Sequence, residues 1–121
     1  MDRAVRSASD ADAARIDEDW GSLTWLASQN LGNGEGLTVG RVVIKAGHSN
    51  PRHSHSACEE VLYLLSGRLE HTVGDDAVVL EAGDTLSVGP GIAHNATALG
   101  DEDADMIVAY SSGSRDFQPE H

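Results

Sequence analysis

The segment GHSNPRHSHSACEEVLYLLSG, residues 47–67, combines two closely spaced histidines with a pair of acids and has glycine at both ends. His53 and His55 are two positions apart, so in a strand their side chains point to the same face. Glu60 differs from them in parity, and the four residues before it suit a tight connection. We therefore expect an antiparallel hairpin that places Glu60 across from both imidazoles, so that two histidines and one carboxylate could form a metal site.

A further histidine follows a glycine-rich turn in the segment GPGIAHN, residues 89–95. This residue, His94, begins a predicted strand and could project into the same cavity, so it is a candidate fourth ligand. The remaining histidines lack such neighbours. We interpret His71 as an ordinary strand residue, His48 as part of the loop that leads into the site, and His121 as a mobile terminus.

The composition favours one small all-β domain. The chain has 121 residues, enough for a single domain with a modest core. Aromatic residues make up only 4% of it, so the core must rely on Val, Leu, Ile and Ala. Helical periodicity is absent after residue 19, and short β-branched and apolar stretches alternate with glycine-rich turns, which is typical of a sandwich or barrel. The predicted strands span residues 22–28, 36–45, 60–66, 68–74, 77–83, 85–89, 94–99 and 105–111.

Three segments differ in character along the chain. Residues 1–19 are small and acidic, and they are expected to form a loose arm or a short helix. Residues 20–115 contain all the predicted strands and are expected to form the barrel. Residues 116–121 are interpreted as a C-terminal tail.

The charge balance disfavours two classes of partner. Twenty acidic and eight basic residues give a formal charge of −12, and no basic stripe is present, which disfavours nucleic acid and anionic membranes as partners.

No run approaches the roughly 20 apolar residues of a membrane helix, and the N-terminus lacks the apolar segment of a signal peptide. Cys58 is the only cysteine, so no intramolecular disulfide can form. A cytoplasmic protein is expected.

In these segments the sequence resembles a known family, the cupins. Their first motif is G(X)5HXH(X)3–4E(X)6G, and the segment 47–67 matches it at Gly47, His53, His55, Glu60 and Gly67. Fifteen residues, 68–82, separate this motif from the second one, as in small microbial cupins. The two motifs together cover residues 47–98.

The second cupin motif, G(X)5PXG(X)2H(X)3N, is matched in part. Gly83, Gly91 and His94 occupy their expected positions. Gly89 stands at the proline position and Ala98 at the asparagine position. These departures affect the turn and the surroundings of the site, whereas the four candidate ligands are all present.

The resemblance implies a single-domain cupin jelly-roll β-barrel of six to eight strands that forms a homodimer. It also implies one divalent transition metal per chain, held by His53, His55, Glu60 and His94. This mixed imidazole and carboxylate set suits Fe, Mn, Ni, Cu, Co or Zn. Glu60 is the ligand most able to detach and act as a catalytic base. Because imidazole must be neutral to bind metal, metal affinity should decrease as the pH drops below about 6.5.

Three functions remain open from the sequence. The first is a mononuclear non-haem metal-dependent dioxygenase or related oxidoreductase that acts on a small oxygen-rich organic molecule. The second is a redox-neutral, metal-dependent isomerase, lyase or cyclase. The third is a cupin that binds or senses a small molecule without turning it over. In each case a barrel of this size encloses only one small ligand.

Four further side chains have two interpretations each. Tyr63 alternates away from Glu60 along its strand, so we expect it outside the barrel and not in a catalytic role. Cys58 is either a redox-sensitive thiol beside the ligands or a buried structural residue, and we favour the structural role. Arg41 and Lys45 lie on one face of a predicted strand, where they could anchor a substrate carboxylate or face solvent.

The acidic composition leads to a testable hypothesis, a cytoplasm rich in salt, against the alternative of a merely acidic protein. Because a chain of charge −12 repels itself, and because the screening length falls to about 3 Å at 1 M salt, molar KCl should raise the unfolding midpoint. Thermal unfolding at low and at molar KCl measures this. An unchanged or lower midpoint at molar KCl would contradict the hypothesis.

Overall fold

The computed structural model describes residues 3–120, which form one short helix and eleven strands; His121, predicted to be mobile, lies outside this range. The elements are α1 (Ala8–Ala13), β1 (Ile16–Glu18), β2 (Gly21–Ala27), β3 (Thr38–Ile44), β4 (His53–Ser54), β5 (Glu60–Ser66), β6 (Arg68–Val73), β7 (Asp76–Glu81), β8 (Thr85–Val88), β9 (His94–Ala98), β10 (Ala104–Tyr110) and β11 (Gln118–Pro119).

The strands form two antiparallel sheets. The six-stranded sheet has the order β1-β2-β3-β10-β5-β8, and the five-stranded sheet has the order β11-β4-β9-β6-β7. Neighbours in each sheet are mostly distant in the chain, so the connections cross repeatedly from one sheet to the other. The prediction of an all-β, single-domain jelly-roll barrel is confirmed.

The core lies between the two sheets and follows the two-residue period of the strands. In β5, Glu60, Leu62 and Leu64 are buried, whereas Val61 and Tyr63 are exposed. The same alternation occurs in β10. The apolar side chains that form the core are Val42, Ile44, Cys58, Leu62, Leu64, Leu69, Leu80, Ala96, Ala98, Ala104, Met106, Val108 and Tyr110.

All eight predicted strands are present, with ends that differ by at most two residues from those expected. The three strands that were not predicted, β1, β4 and β11, contain only two or three residues each, too few to show a period. Among residues 3–120, no helix is long and apolar enough to cross a membrane.

The two terminal segments take part in the sheets. Within residues 1–19, α1 begins after Ser7, whose side-chain oxygen accepts the backbone N–H of Asp10 at 3.0 Å, and β1 then pairs with β2. Within residues 116–121, β11 pairs with β4. The division of the chain at residues 19 and 115 stays a prediction from composition.

The predicted hairpin between the histidines and Glu60 is wrong. β4 belongs to the five-stranded sheet, where it pairs with β9 and β11, and β5 belongs to the other sheet, where it pairs with β10 and β8. The residues between them therefore cross the barrel. Glu60 faces the imidazoles across the interior, from the opposite sheet, because packed sheets lie about 10 Å apart and side chains from both fill that space.

Gly67 makes a very short connection between the two sheets. It is the single residue between β5 and β6, which belong to different sheets, and its φ of +84° lies in the left-handed region. A Cβ atom at this position would lie 2.5 Å from the carbonyl oxygen of Asp103. The last position of the first cupin motif is therefore glycine for a steric reason, because any larger residue would clash there.

Two adjacent leucines of β5 test the assignment of the core. Leu64 is fully buried and Leu65 is 46% exposed. Leu64→Ala should lower the free energy of unfolding by about 3 kcal/mol, because it removes buried methyl groups and leaves a cavity. Leu65→Ala should cost less than about 1 kcal/mol, because its side chain already contacts water. Urea unfolding of both variants measures this, and equal losses would contradict the assigned register.

Candidate metal centre

The structure brings the four predicted ligands together inside the barrel. His53 is in β4, His55 directly follows that strand, Glu60 is the first residue of β5, and His94 is the first residue of β9. One ligand atom from each of the four residues lies within 4.8 Å of those of the other three, and all four side chains are buried. His53 and His94 are direct partners in the β4–β9 pair.

Backbone carbonyls orient the three imidazoles. His53 and His94 each place Nδ1 against the carbonyl oxygen two residues earlier, at 2.7 and 2.8 Å, and His55 Nδ1 lies 2.5 Å from the carbonyl oxygen of Asp116. A carbonyl oxygen only accepts hydrogen bonds, so Nδ1 must carry the proton in each ring. In the neutral ring, Nε2 then has a free lone pair, which is the form that binds metals.

The free Nε2 atoms converge on the carboxylate. Glu60 Oε1 lies 3.1 Å from His94 Nε2 and 3.3 Å from His55 Nε2. His55 Nε2 is buried and has no hydrogen-bond partner. Several electron-pair donors that face one another in a buried space leave a place that a cation satisfies, so these four residues fit one metal ion.

The ionisation of these groups follows from burial and from mutual contact. Burial lowers the pKa of His53 to about 4, which keeps this ring neutral at pH 7. Burial opposes the charge of Glu60, but the approach of His55 and His94 outweighs it, so the pKa of the Glu60 carboxyl is lowered. Burial likewise opposes the charge of His94, and the adjacent Glu60 carboxylate outweighs it, so the pKa of His94 is raised.

A cavity of about 170 Å³ opens onto the cluster. This volume is below the roughly 300–1,000 Å³ of sites that bind drug-sized ligands, so the cavity suits a small molecule. Its walls are mainly apolar, with a few polar groups near the cluster and at the mouth. The residues that line it besides the cluster are Glu18, Trp20, Leu23, Val42, Asn50, Pro51, Leu62, His71, Ala96, Met106, Val108, Tyr110, Arg115 and Phe117.

Asp116 holds the turn that carries the ligands. Its carboxylate accepts the backbone N–H and the hydroxyl of Ser56, both at 2.7 Å, and the backbone N–H of Ala57 at 3.1 Å. These hydrogen bonds hold the pKa of the Asp116 carboxyl below its usual range. Its backbone oxygen is the acceptor for His55. The residue thus fixes both the turn after His55 and the orientation of that ring.

Sequence reasoning missed two buried side chains beside the cluster. His71 is stacked on His94, with ring centroids 5.7 Å apart, and Tyr110 lies edge-on to His55 at 4.9 Å. Burial lowers the pKa of His71 and raises that of Tyr110, so both are uncharged at pH 7. Strand alternation could have identified them, since His71 shares its parity with Leu69 and Tyr110 with the buried side chains of β10.

The structure decides between the interpretations left open for the other side chains. Arg41 lies outside the cavity lining and forms an ion pair with Asp105, with Nη2 2.6 Å from Oδ2, and Lys45 is exposed. Tyr63 is 44% exposed on the outer face, as the alternation predicts. Cys58 is buried in the core cluster, and burial raises its pKa, consistent with a structural thiol.

Comparison with known proteins identifies the family of this fold. The family described as "Cupin domain" matches residues 40–110. Germin-like protein 3-8 of Oryza sativa is 33% identical over 82 residues, which cover 64% of this chain and 36% of that protein. This chain therefore spans about a third of the length of that relative.

Solved structures with the same fold include two enzymes named for oxalate. Oxalate decarboxylase from Bacillus subtilis, a protein with Mn(II) centres, has a TM-score of 0.80 at 20% identity, over 87% of this chain and 29% of that one. Oxalate oxidase has a TM-score of 0.75 at 21% identity, over 84% of this chain and 56% of that one. At these identities the likeness shows the fold.

The role of Asp116 can be tested apart from the ligands. Asp116→Asn replaces an acceptor of Ser56 with an amide, so the ligand turn loosens and metal affinity should fall about 10- to 100-fold, as for other groups that support metal ligands. Competition with a chromophoric chelator measures the affinity. Asp101→Asn, in the exposed turn before β10, is the matched control and should change nothing. Equal affinities for both variants would contradict the role of Asp116.

Proposed function

The chain belongs to the cupin domain family, and from this premise we propose that it is a metal-dependent enzyme. One divalent transition metal binds to His53, His55, Glu60 and His94, and the substrate is a small oxygen-rich organic molecule. The reaction proposed is that of a dioxygenase or a related oxidoreductase.

One observation carries this proposal. Three imidazoles are oriented by backbone carbonyls so that their free Nε2 atoms meet a carboxylate in a buried cavity. A purely structural barrel would be more stable with apolar side chains at these positions, since buried polar groups without partners cost free energy. The arrangement is therefore best explained by a ligand that needs it.

The donor set limits the metal to a group of candidates. Three nitrogen atoms and one carboxylate oxygen suit Fe, Mn, Ni, Cu, Co or Zn, and affinity alone does not separate these. When bound, such an ion supplies Lewis-acid activation of a substrate oxygen and, if it is redox-active, electron transfer to dioxygen.

The protein's own residues provide the rest of the site. Apolar walls that include Leu62, Met106 and Val108 exclude water, which strengthens the polar interactions inside. The phenol of Tyr110 keeps its proton, because burial and the Glu60 charge raise its pKa, so it can donate a hydrogen bond to a substrate oxygen. Glu60 stays ionised, and we retain it as both ligand and candidate base.

The comparisons support the substrate class at a coarse level. The structural relatives include two enzymes named for oxalate, a small oxygen-rich acid, and one of them has Mn(II) centres. The small cavity of this chain agrees with a substrate of that size. The homodimer and the cytoplasmic location expected from the sequence stay predictions.

Adjacent glutamates give a matched test of metal binding. Glu60→Gln and His55→Ala should reduce bound metal to less than about a tenth of the wild-type content, because each removes a ligand from a four-ligand set. Glu59→Gln should retain the metal, because the Glu59 side chain is exposed and outside the cluster. Elemental analysis of protein purified without added metal or chelator measures this. Wild-type protein that acquires no metal even on reconstitution would refute the proposal.

Oxygen consumption then separates the candidate reactions. Metal-loaded wild type should consume O2 in the presence of substrate from a panel of small organic acids and phenols, and Glu60→Gln should not. Turnover without oxygen uptake would favour the redox-neutral isomerase, lyase or cyclase. Binding without turnover would favour the binding or sensing cupin.

A further inference from the structure

We propose that Arg115 binds an anionic group of the substrate at the mouth of the metal cavity, so that the ligand is a small organic acid with a distal carboxylate. This inference rests on the proposed function, since the other end of the ligand is assigned to the metal centre. It concerns a residue that lies outside both cupin motifs.

Arg115 is held among three aromatic rings. Its Cζ atom lies 4.7 Å from the ring centroid of Trp25 and 5.3 Å from those of Tyr110 and Phe117. Contacts of this kind favour a guanidinium over a neutral side chain. Phe117 is in turn stacked on His53 with centroids 4.7 Å apart. One aromatic ring therefore contacts both the guanidinium and a candidate metal ligand.

Arg115 has no carboxylate partner among the described residues, although its side chain approaches the phenol of Tyr110. Its Nε atom is buried and has no hydrogen-bond partner, and within residues 3–120 no carboxylate oxygen lies within 4.0 Å of its nitrogen atoms. Four other arginines, Arg15, Arg41, Arg52 and Arg68, pair with carboxylates. A buried, unpaired guanidinium donor is costly, and its planar fork matches a carboxylate.

Arg115 also lies where two spaces meet. It lines the metal cavity, in which it is the single lysine or arginine among the described lining residues, and it lines an outer cleft of about 640 Å³. Leu23 is shared by both as well. The cleft is open and bordered by polar side chains such as Gln29 and Asn30. The guanidinium therefore borders both spaces, and a ligand in either one can come close to it.

The negative charge of the rest of the chain makes Arg115 the residue expected to attract an acidic ligand to the cavity. The chain has a formal charge of −12, and Glu18 also lines the cavity, so an acid is repelled elsewhere on this surface. A positive group at the mouth is then what allows a small acid to enter. The chemistry points to a ligand with a metal-chelating end and a carboxylate a few atoms away.

A matched pair of probes isolates the distal carboxylate. 2-Oxoglutarate and 2-oxopentanoate have the same five-carbon chain and the same chelating 2-oxo acid end, and they differ only in the second carboxylate. Wild type should bind 2-oxoglutarate at least about tenfold more tightly, because the distal carboxylate gains a charge-assisted hydrogen bond from the guanidinium. The six-carbon pair, 2-oxoadipate and 2-oxohexanoate, tests a longer spacing. Isothermal titration calorimetry measures all four affinities.

Substitutions then assign the preference to one residue. Arg115→Gln should abolish the preference, and Arg115→Lys should keep part of it, because the charge stays and the fork is lost. Arg41→Gln is the matched control, because Arg41 pairs with Asp105 outside the cavity, and it should keep the full preference. Thermal unfolding of each variant verifies the fold, and the wild-type preference is a test even if Arg115→Gln does not fold.

Titrations of metal-loaded and metal-free protein separate the two proposals. Equal affinity for the members of both pairs in wild type, or a preference that Arg115→Gln leaves intact, would overturn the role of Arg115. A preference that survives in metal-free protein and disappears in Arg115→Gln would support the anion site. If wild type also failed to retain metal, that result would refute the metal enzyme and leave the anion site standing.

Discussion

The burial of a carboxylate against three imidazoles is the constraint on which the rest of this structure depends. Glu60 faces His55 and His94 at 3.3 and 3.1 Å in the interior of a barrel whose other walls are mainly apolar. Such a group is costly to bury without compensation. A bound cation would provide it, because each imidazole donates Nδ1–H to a backbone carbonyl and leaves Nε2 as an electron-pair donor beside the carboxylate.

The C-terminal segment completes the site from the far end of the chain. Asp116 fixes the turn after His55 and the His55 ring, Phe117 stacks on His53, and Arg115 lines the cavity. β11 ties this segment to β4. The ligand motif is therefore positioned by residues about sixty positions later, and fold and function depend on the same contacts.

Much of the fold and the ligand set could be predicted from the sequence, because both are encoded by local patterns. The two-residue period placed Tyr63 outside the barrel, and the motif spacing identified His53, His55, Glu60 and His94. The hairpin expected between the histidines and Glu60 was wrong, because a short connection can join strands of one sheet or cross to the other, and spacing does not distinguish the two. Very short strands such as β11 were missed because two residues show no period.

The sequence by itself determined the all-β class, the barrel and the identity of the four candidate ligand residues, since alternation and motif spacing are properties of the chain that need no partner. Only the tertiary structure decided that Glu60 faces the histidines from the opposite sheet, that His71 and Tyr110 lie beside them, and that Arg115, not Arg41, lies at the cavity. These facts depend on which strands pair and which loops cross the barrel. They arise from contacts between distant residues, and a one-dimensional pattern carries no record of those contacts.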